Sequence, residues 1–177
     1  MRNFPLLPRT IAVAAALMIG ALVVSTGTAA VPAPAKAPPR ALVGTWTLVA
    51  ADVRHPDGSV GRDFGESPRG SMMIDARGRY TLLIYKSERP KFASGDRARG
   101  TAEEYRETVI GISTHFGTLS VDTATHTLNF AIEEASFSNW NGTSQIRPYQ
   151  LKGAVLSYTV AARPNGDVPI SVWKRTS

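Results

Sequence analysis

One segment near the C-terminal end of the sequence carries the side chains best suited to recognising a polar ligand. Gln145, Arg147 and Tyr149 are spaced two residues apart, and on a β-strand such residues point to the same face. A buried guanidinium suits a carboxylate or another oxygen-rich group, to which it donates paired hydrogen bonds. The spacing therefore predicts that Arg147 and Gln145 reach into a binding cavity. The alternative is that Arg147 pairs with Glu133 or Glu134 on the preceding strand, since buried charges are generally paired.

Acid–base chemistry has two candidates, His115 and Glu133. A general base needs a hydrogen-bonded partner and an oriented substrate, and no further catalytic group lies at a diagnostic spacing from His115 in "STHFG". A structural or surface role is the alternative for this histidine. Glu133 and Glu134 are adjacent, so on a strand they point to opposite faces and cannot both serve one site. The pair therefore argues against a hydrolase with two catalytic carboxylates.

No metal site or cofactor is expected. The three histidines, His55, His115 and His126, lie far apart in the sequence, and the chain has no cysteine. None of the compact patterns of a zinc site, a serine-nucleophile elbow or a phosphate-binding glycine loop occurs. Nucleic acid is also an unexpected partner, because no stripe of Lys and Arg with interleaved aromatic residues is present.

Aromatic side chains recur along the chain and could line an apolar pocket. The candidates that would contact a ligand together with His115, Gln145 and Arg147 are Tyr80, Tyr85, Phe130, Trp140, Tyr149 and Tyr158. Their equally valid alternative role is to fill the core, where aromatic residues are common. The predicted partner is a small hydrophobic or amphipathic molecule, and the sequence predicts no particular oligomeric state.

The first thirty residues have the layout of a secretory signal peptide. Arg2 and Arg9 precede an uncharged run over residues 11–24, and small residues follow it up to Ala30, the expected cleavage site. The run is shorter than the ~20 residues of a membrane-spanning helix, so an uncleaved anchor is the weaker alternative. We therefore expect export to the periplasm or the exterior, with no integral membrane span left in the mature protein.

A spacer separates this segment from one folded domain. Residues 31–40, "VPAPAKAPPR", are rich in proline and alanine, which is typical of an extended linker. Residues 41–177 are long enough for a single domain. The first forty residues hold four of the 20 basic groups and no acid, so the domain carries 16 basic and 14 acidic groups. Its small net charge gives no further reason to expect a polyanionic partner.

Short alternating segments separated by turn signals predict eight β-strands in this domain. They cover residues 43–53, 70–74, 80–86, 114–121, 126–134, 145–152, 154–160 and 170–174. One short helix is expected over residues 101–111, between the third and fourth strands. Thr101 and Glu104 have capping-box spacing there, and Gly111 provides a stop. The helix should pack as a lid or plug, with Tyr105 and Val109 on one face.

The order of these strands indicates how the sheet is arranged. Consecutive strands joined mostly by short turns favour an up-and-down antiparallel sheet. Closing that sheet into an eight-stranded barrel removes its exposed edges and leaves an interior that side chains or one small ligand can fill. A β-sandwich is the alternative all-β architecture.

Both ends of the domain support closure. Gly44 and Trp46 begin the first strand, and Lys174 and Arg175 end the last. A cation stacked over an indole ring is stabilising by ~0.5–2 kcal/mol. This arrangement resembles the lipocalin and wider calycin barrels, in which a tryptophan plugs the closed end and a cation packs across it. By the resemblance, Gly44, Trp46 and Lys174 or Arg175 form a structural plug.

A more specific resemblance extends over nearly all of residues 42–175. The phrases "LVGTWTLVAADV", "GRDFGESPRGSMMIDARGRYTLLI", "GDRARGTAEEYRETVIGISTHFGTLSVD" and "ASFSNWNGTSQIRPYQLKGAVLSYTV" occur in that order. Together they resemble the lipocalin-like domain family of small bacterial and fungal barrels. The resemblance implies the fold and supplies no catalytic residues.

Three classes of function are consistent with this sequence. The preferred one is an exported lipocalin-like protein that binds a small, largely apolar ligand inside its barrel. A barrel enzyme, such as an isomerase, cyclase or hydrolase acting on a small hydrophobic substrate, is the second, although one fold hosts many functions. A structural or protein-interaction domain with a filled core is the third.

Overall fold

The computed structural model describes residues 38–176 of the chain. The predicted signal peptide and most of the predicted linker lie outside the described residues. The described part is almost entirely β-structure with one α-helix. In chain order the elements are β1 (Gly44–Arg54), β2 (Val60–Gly61), β3 (Arg69–Ile74), β4 (Arg79–Tyr85), α1 (Ala102–Ile110), β5 (Ile112–Asp122), β6 (Thr127–Ala135), a short 3-10 helix (Ser138–Trp140), β7 (Ser144–Lys152), β8 (Val155–Thr159) and β9 (Val168–Arg175).

The strands form a closed antiparallel barrel. Each strand from β3 to β9 pairs with the next, β3 pairs with β1, and β9 returns to pair with the other side of β1. Eight strands therefore make the wall, and the two-residue β2 is attached only to the C-terminal end of β1. This confirms the up-and-down barrel predicted from the sequence and rules out the sandwich.

The predicted position of the helix, between strands 3 and 4, is wrong in detail. Helix α1 follows β4 and precedes β5. The turn "HPDGS" leads back along β1 into the short strand β2, which is too brief to show a hydrophobic alternation. The boundaries of helix α1 agree with the sequence signals. The Thr101 side chain accepts a hydrogen bond from the Glu104 backbone N–H, the Glu104 side chain reciprocates, and Gly111 caps the other end.

Helix α1 lies over one end of the barrel without being buried. None of its side chains is buried, and Tyr105 packs edge-on against Phe92 in the preceding loop, 5.3 Å between ring centroids. Val109 and Ile110, at its last turn, are exposed. The helix is therefore part of the rim and not a plug. No helix within residues 38–176 is both long and apolar enough to cross a bilayer.

Two β-bulges change which side chains face the interior. In β1 the pairing with β9 shifts between Leu48 and Ala50, so the extra residue, Val49, lies outside. In β6 the pairing with β5 shifts so that Phe116 opposes Glu134 and Gly117 opposes Ile132, which leaves Glu133 as the extra residue. Inward-facing positions therefore pass from Leu48 to Ala51, and Glu133 and Glu134 are both exposed.

Candidate ligand-binding site

One end of the barrel is closed by Trp46. Its side chain is fully buried, and its indole N–H donates to the Leu42 carbonyl at 3.1 Å. The guanidinium of Arg175 lies 4.4 Å from the centroid of the indole ring and also donates to the Val43 and Ala41 carbonyls. The ring face and two backbone acceptors thus hold this cation. The turn into the strand starts at Gly44, whose φ of 136° favours glycine.

Lys174, the other cation expected at this plug, lies outside. It is exposed, whereas Arg175 is half-buried against Trp46. Adjacent residues of a strand point to opposite faces, so only one of the two can stack on the ring. The structure therefore places Gly44, Trp46 and Arg175 together and leaves Lys174 on the surface.

The opposite end of the barrel contains a cavity of about 620 Å³. Its walls come from the C-terminal halves of β1, β4 and β8 and the N-terminal halves of β5, β7 and β9, which all meet at this end. Most of the lining is apolar: Ala51, Phe64, Leu82, Ile84, Val109, Ile110, Ile112, Phe137, Trp140, Val160, Ala161, Ala162, Pro169 and Ile170. Because Val109, Ile110 and Phe137 are also exposed to solvent, the cavity opens here.

The buried polar groups of this cavity lie on its inner side. His115, Arg147 and Ser171 line it and are buried, and Tyr158 adds a phenol. Asp52, Asp63 and Arg163 also line it, but they are not buried. The cavity therefore combines a mainly apolar lining with a small cluster of hydrogen-bonding groups at depth.

Arg147 is the central member of this cluster. It is only 3% exposed, and its guanidinium lies 4.3 Å from the Phe130 ring centroid and 5.2 Å from that of Tyr158. Its Nη2 donates to Gln145 Oε1 at 2.7 Å and to His115 Nε2 at 3.3 Å. Its Nε has no hydrogen-bond partner, and within residues 38–176 no carboxylate forms a salt bridge with it.

His115 connects Arg147 to Tyr80. The Tyr80 hydroxyl lies 2.8 Å from His115 Nδ1. Because a guanidinium can only donate, His115 Nε2 must accept, so the ring proton sits on Nδ1 and donates to Tyr80. Burial, reinforced by the charge of Arg147, lowers the pKa of His115 to about 3. Burial also raises the pKa of Tyr80, so histidine and phenol are both neutral near pH 7.

Glu133 lies outside the barrel, away from this cluster. It follows the inward-facing Ile132, so alternation puts it on the exterior, where its carboxylate pairs with Arg79. Glu134 is exposed as well and accepts a hydrogen bond from the Asn141 side chain. Neither carboxylate reaches Arg147, so the pairing offered as the alternative for that arginine does not occur.

The aromatic residues singled out in the sequence are divided between the cavity and its surroundings. Trp140 and Tyr158 line the cavity, whereas Tyr80 and Phe130 are buried directly beneath it and contact each other edge-on at 4.9 Å. Tyr85 lies outside the lining, with the Arg89 guanidinium 4.6 Å from its ring. Tyr149 faces the core further along β7 and lies beside His126 near the closed end.

Several lining residues were not singled out from the sequence. Ala51 faces the cavity because the bulge at Val49 shifts the alternation of β1, and its neighbour Asp52 also lines the cavity. Oδ1 of Asp52 is buried without a hydrogen-bond partner, and the nearest cation is Arg62, whose Nε lies 3.9 Å away. Ser171 is a buried serine in β9. No local sequence signal marks Ala51, since a bulge is set by the pairing of two strands.

The described residues offer no obvious metal centre. Within residues 38–176 no three side chains of the His, Cys, Asp and Glu types come close enough to share an ion. His115 has both of its ring nitrogens in hydrogen bonds. His55 is bonded to Asp167 Oδ1 at 2.8 Å in a surface loop, which raises the pKa of the histidine.

Of two comparisons with known proteins, the one with protein families supports the same architecture. The one with curated proteins finds no match. The pattern of the family described as "Lipocalin-like domain" matches residues 43–176, well over half of the chain. The matched region begins just before β1 and ends just after β9, so it spans the complete barrel. The chain therefore belongs to the lipocalin-like domain family.

Proposed function

We propose that this protein binds a small, largely apolar molecule in the cavity at the open end of its barrel. The lipocalin-like barrel is in general suited to holding a small molecule. The observation that carries the proposal is the cavity of about 620 Å³ with a mainly apolar lining and a few buried polar groups. Small-molecule sites typically enclose ~300–1,000 Å³ and have this mixture of surfaces.

The proposal includes export. Its support is the sequence layout of residues 1–30, with two arginines, an uncharged run and small residues before Ala30. Expression of the full chain in a bacterial host and N-terminal sequencing of the product tests this part. We expect a mature protein that begins near Val31, and an intact N-terminus would contradict export by cleavage.

The enzymatic alternative has less support. His115 has a pKa of about 3, so it is a weak base near pH 7. Glu133 lies on the exterior in a pair with Arg79. The cavity thus brings together a cation, amide and phenol that can orient a ligand, but neither residue expected to move a proton is poised to do so.

Two matched variants test whether the cavity binds. Ala51 is buried at the cavity wall, whereas Ala131 in β6 is exposed on the outer surface. We expect a lipophilic fluorescent probe to bind the wild-type domain and the A131W variant equally, and the A51W variant at least tenfold more weakly. Circular dichroism checks that both variants fold, and A51L replaces A51W if the larger side chain prevents folding.

The proposal would be overturned if the wild-type domain bound no probe and its native mass spectra showed no retained ligand. Equal probe affinity for folded A51W and A131W would move the binding away from the cavity and would also contradict the proposal.

A further inference from the structure

We infer that the ligand carries an anionic head group, a carboxylate, which is held by Arg147 with a second hydrogen bond from Tyr158. This inference rests on the proposed function and adds to it the chemical class of the ligand: an apolar chain or ring system with one acid group. The acid would lie at the inner side of the cavity, and the apolar part would extend toward Trp140 and Phe137.

The first support is an uncompensated charge. Arg147 is a buried cation, and within the described residues no carboxylate pairs with it. Isolated charges are costly to bury, and proteins normally pair them. Its two protein partners, Gln145 and His115, are neutral acceptors. An anion that enters the cavity would supply the missing charge.

The second support is a pair of orphaned donors. The Phe130 and Tyr158 rings contact the faces of the guanidinium and stabilise it through their π-systems. These contacts do not satisfy the N–H groups, which lie in the guanidinium plane. Arg147 Nε and the Tyr158 hydroxyl are both buried without a hydrogen-bond partner. Buried polar groups are rarely left unsatisfied, and two such donors in residues that both line the cavity indicate an acceptor within it.

The third support is the arrangement of the other charged groups around the cavity. Asp63 is paired with Arg163, and the cation nearest to Asp52 is Arg62. All four of these residues are at least partly exposed. Among the described charged residues that line the cavity, Arg147 is therefore the one whose side chain is buried as a whole. Gln145 holds its Nη2 in place through a bond of 2.7 Å. A preorganised guanidinium favours a planar acceptor such as a carboxylate.

The test compares three probes with the same apolar chain and different heads. Dodecanoate, dodecanol and dodecyltrimethylammonium are titrated calorimetrically, below their micelle concentrations, into the wild-type domain. We expect dodecanoate to bind at least tenfold more tightly than dodecanol, because hydrogen bonds to a charged group are worth about tenfold or more in affinity. The cationic probe should bind most weakly.

Two variants assign the preference to the two residues. R147M should lose the preference for dodecanoate over dodecanol. Y158F keeps the ring beside Arg147 and removes only the hydroxyl, so we expect a loss of about threefold to tenfold for dodecanoate alone. If R147M does not fold, the wild-type probe series and Y158F still decide the question.

Failure of the anionic head group and failure of the proposed function give different results. Equal affinity for dodecanoate and dodecanol, or tighter binding of the cationic probe, would overturn the anionic head group while leaving apolar binding intact. A dodecanoate preference that survives in folded R147M would also overturn it. Absence of binding by all three probes would contradict the proposed function itself.

Discussion

The two ends of the barrel each stack an arginine on an aromatic ring, and they differ in what happens to the N–H groups of that arginine. At the closed end Arg175 lies 4.4 Å from the Trp46 ring centroid and donates to two backbone carbonyls. At the open end Arg147 lies 4.3 Å from Phe130, and its Nε has no partner. The stacking is the same, but the second arginine has a buried donor without a partner and lines a cavity.

This difference separates a structural interaction from a binding one. The carbonyls of Val43 and Ala41 belong to the chain that leads into β1, so Arg175 ties the last strand to the start of the first. Arg147 is instead surrounded by side chains and faces a cavity. The comparison predicts that changes at the closed end alter stability, and that changes at the open end alter ligand binding.

The largest expected effect is on stability, and it comes from replacing the tryptophan at the closed end, with the tryptophan at the open end as the comparison. Replacing the fully buried Trp46 by alanine should lower the free energy of unfolding by ~3–5 kcal/mol, because it leaves a large cavity in the core. Trp140 is only partly buried at the cavity wall, so W140A should cost less than half as much and weaken probe binding. Urea denaturation of both variants measures the contrast, and equal costs would contradict it.

The next effect is a loss of stability at acid pH, caused by His115 at the open end. His115 is neutral in the folded state, with a pKa of about 3 against 6.5 for an ordinary histidine. Below pH 6.5 the unfolded chain binds a proton that the folded chain does not, so stability should fall with pH by about 1.4 kcal/mol per unit down to pH 3. Stability should be unaffected by this group above pH 6.5.

A variant isolates the contribution of that histidine. H115Q removes the titrating ring, so the difference between its unfolding free energy and that of the wild type should change with pH across this window. Carboxylates elsewhere affect both proteins alike and cancel in the difference. Parallel pH profiles would show that His115 is protonated as easily in the folded chain as in the unfolded one.

A smaller effect is expected from the cation at the closed end. R175M removes the hydrogen bonds to Val43 and Ala41 and the contact with Trp46, so we expect a loss of about 2 kcal/mol of unfolding free energy. K174M alters the adjacent exposed residue and should stay within about 0.5 kcal/mol of the wild type. Chemical denaturation measures both, and similar costs would mean that the stacked cation has no special role.

The smallest expected effect has the opposite sign. R147M replaces a buried and unpaired charge by an apolar side chain of similar length, so the ligand-free protein should become more stable by about 1 kcal/mol. The same denaturation measurement applies. A loss as large as that expected for R175M would show that both arginines are structural, and the distinction between the two ends would fail.

The sequence predicts the barrel better than it predicts the cavity. The turn signals between strands and the capping box at Thr101 and Glu104 are local signals, and the strands and helix that they delimit occur in the structure. The two bulges are different. They depend on how two strands pair, and they decide that Ala51 faces the cavity and that Glu134, like Glu133 before it, faces solvent. Side-chain alternation within one strand cannot contain that information.

The same reasoning explains which site residues could be anticipated. Gln145 and Arg147 lie on an unbulged part of β7, so their two-residue spacing correctly indicates a shared face. Their meeting with His115 brings together strands that are not neighbours in the sheet, since β5 and β7 are separated by β6. Such a cluster forms only inside the closed barrel, so no spacing of residues in the sequence predicts it.

The most direct test of the account is one calorimetric measurement, the dodecanoate-induced rise in melting temperature, made in parallel on R147M and R175M. Both variants lose a stacked arginine, and only Arg147 faces the cavity. We expect R175M to melt lower than the wild type yet to show the full rise with dodecanoate. We expect R147M to show a much smaller rise. Equal rises in the two variants would contradict the assignment of binding to the open end and of structure to the closed end.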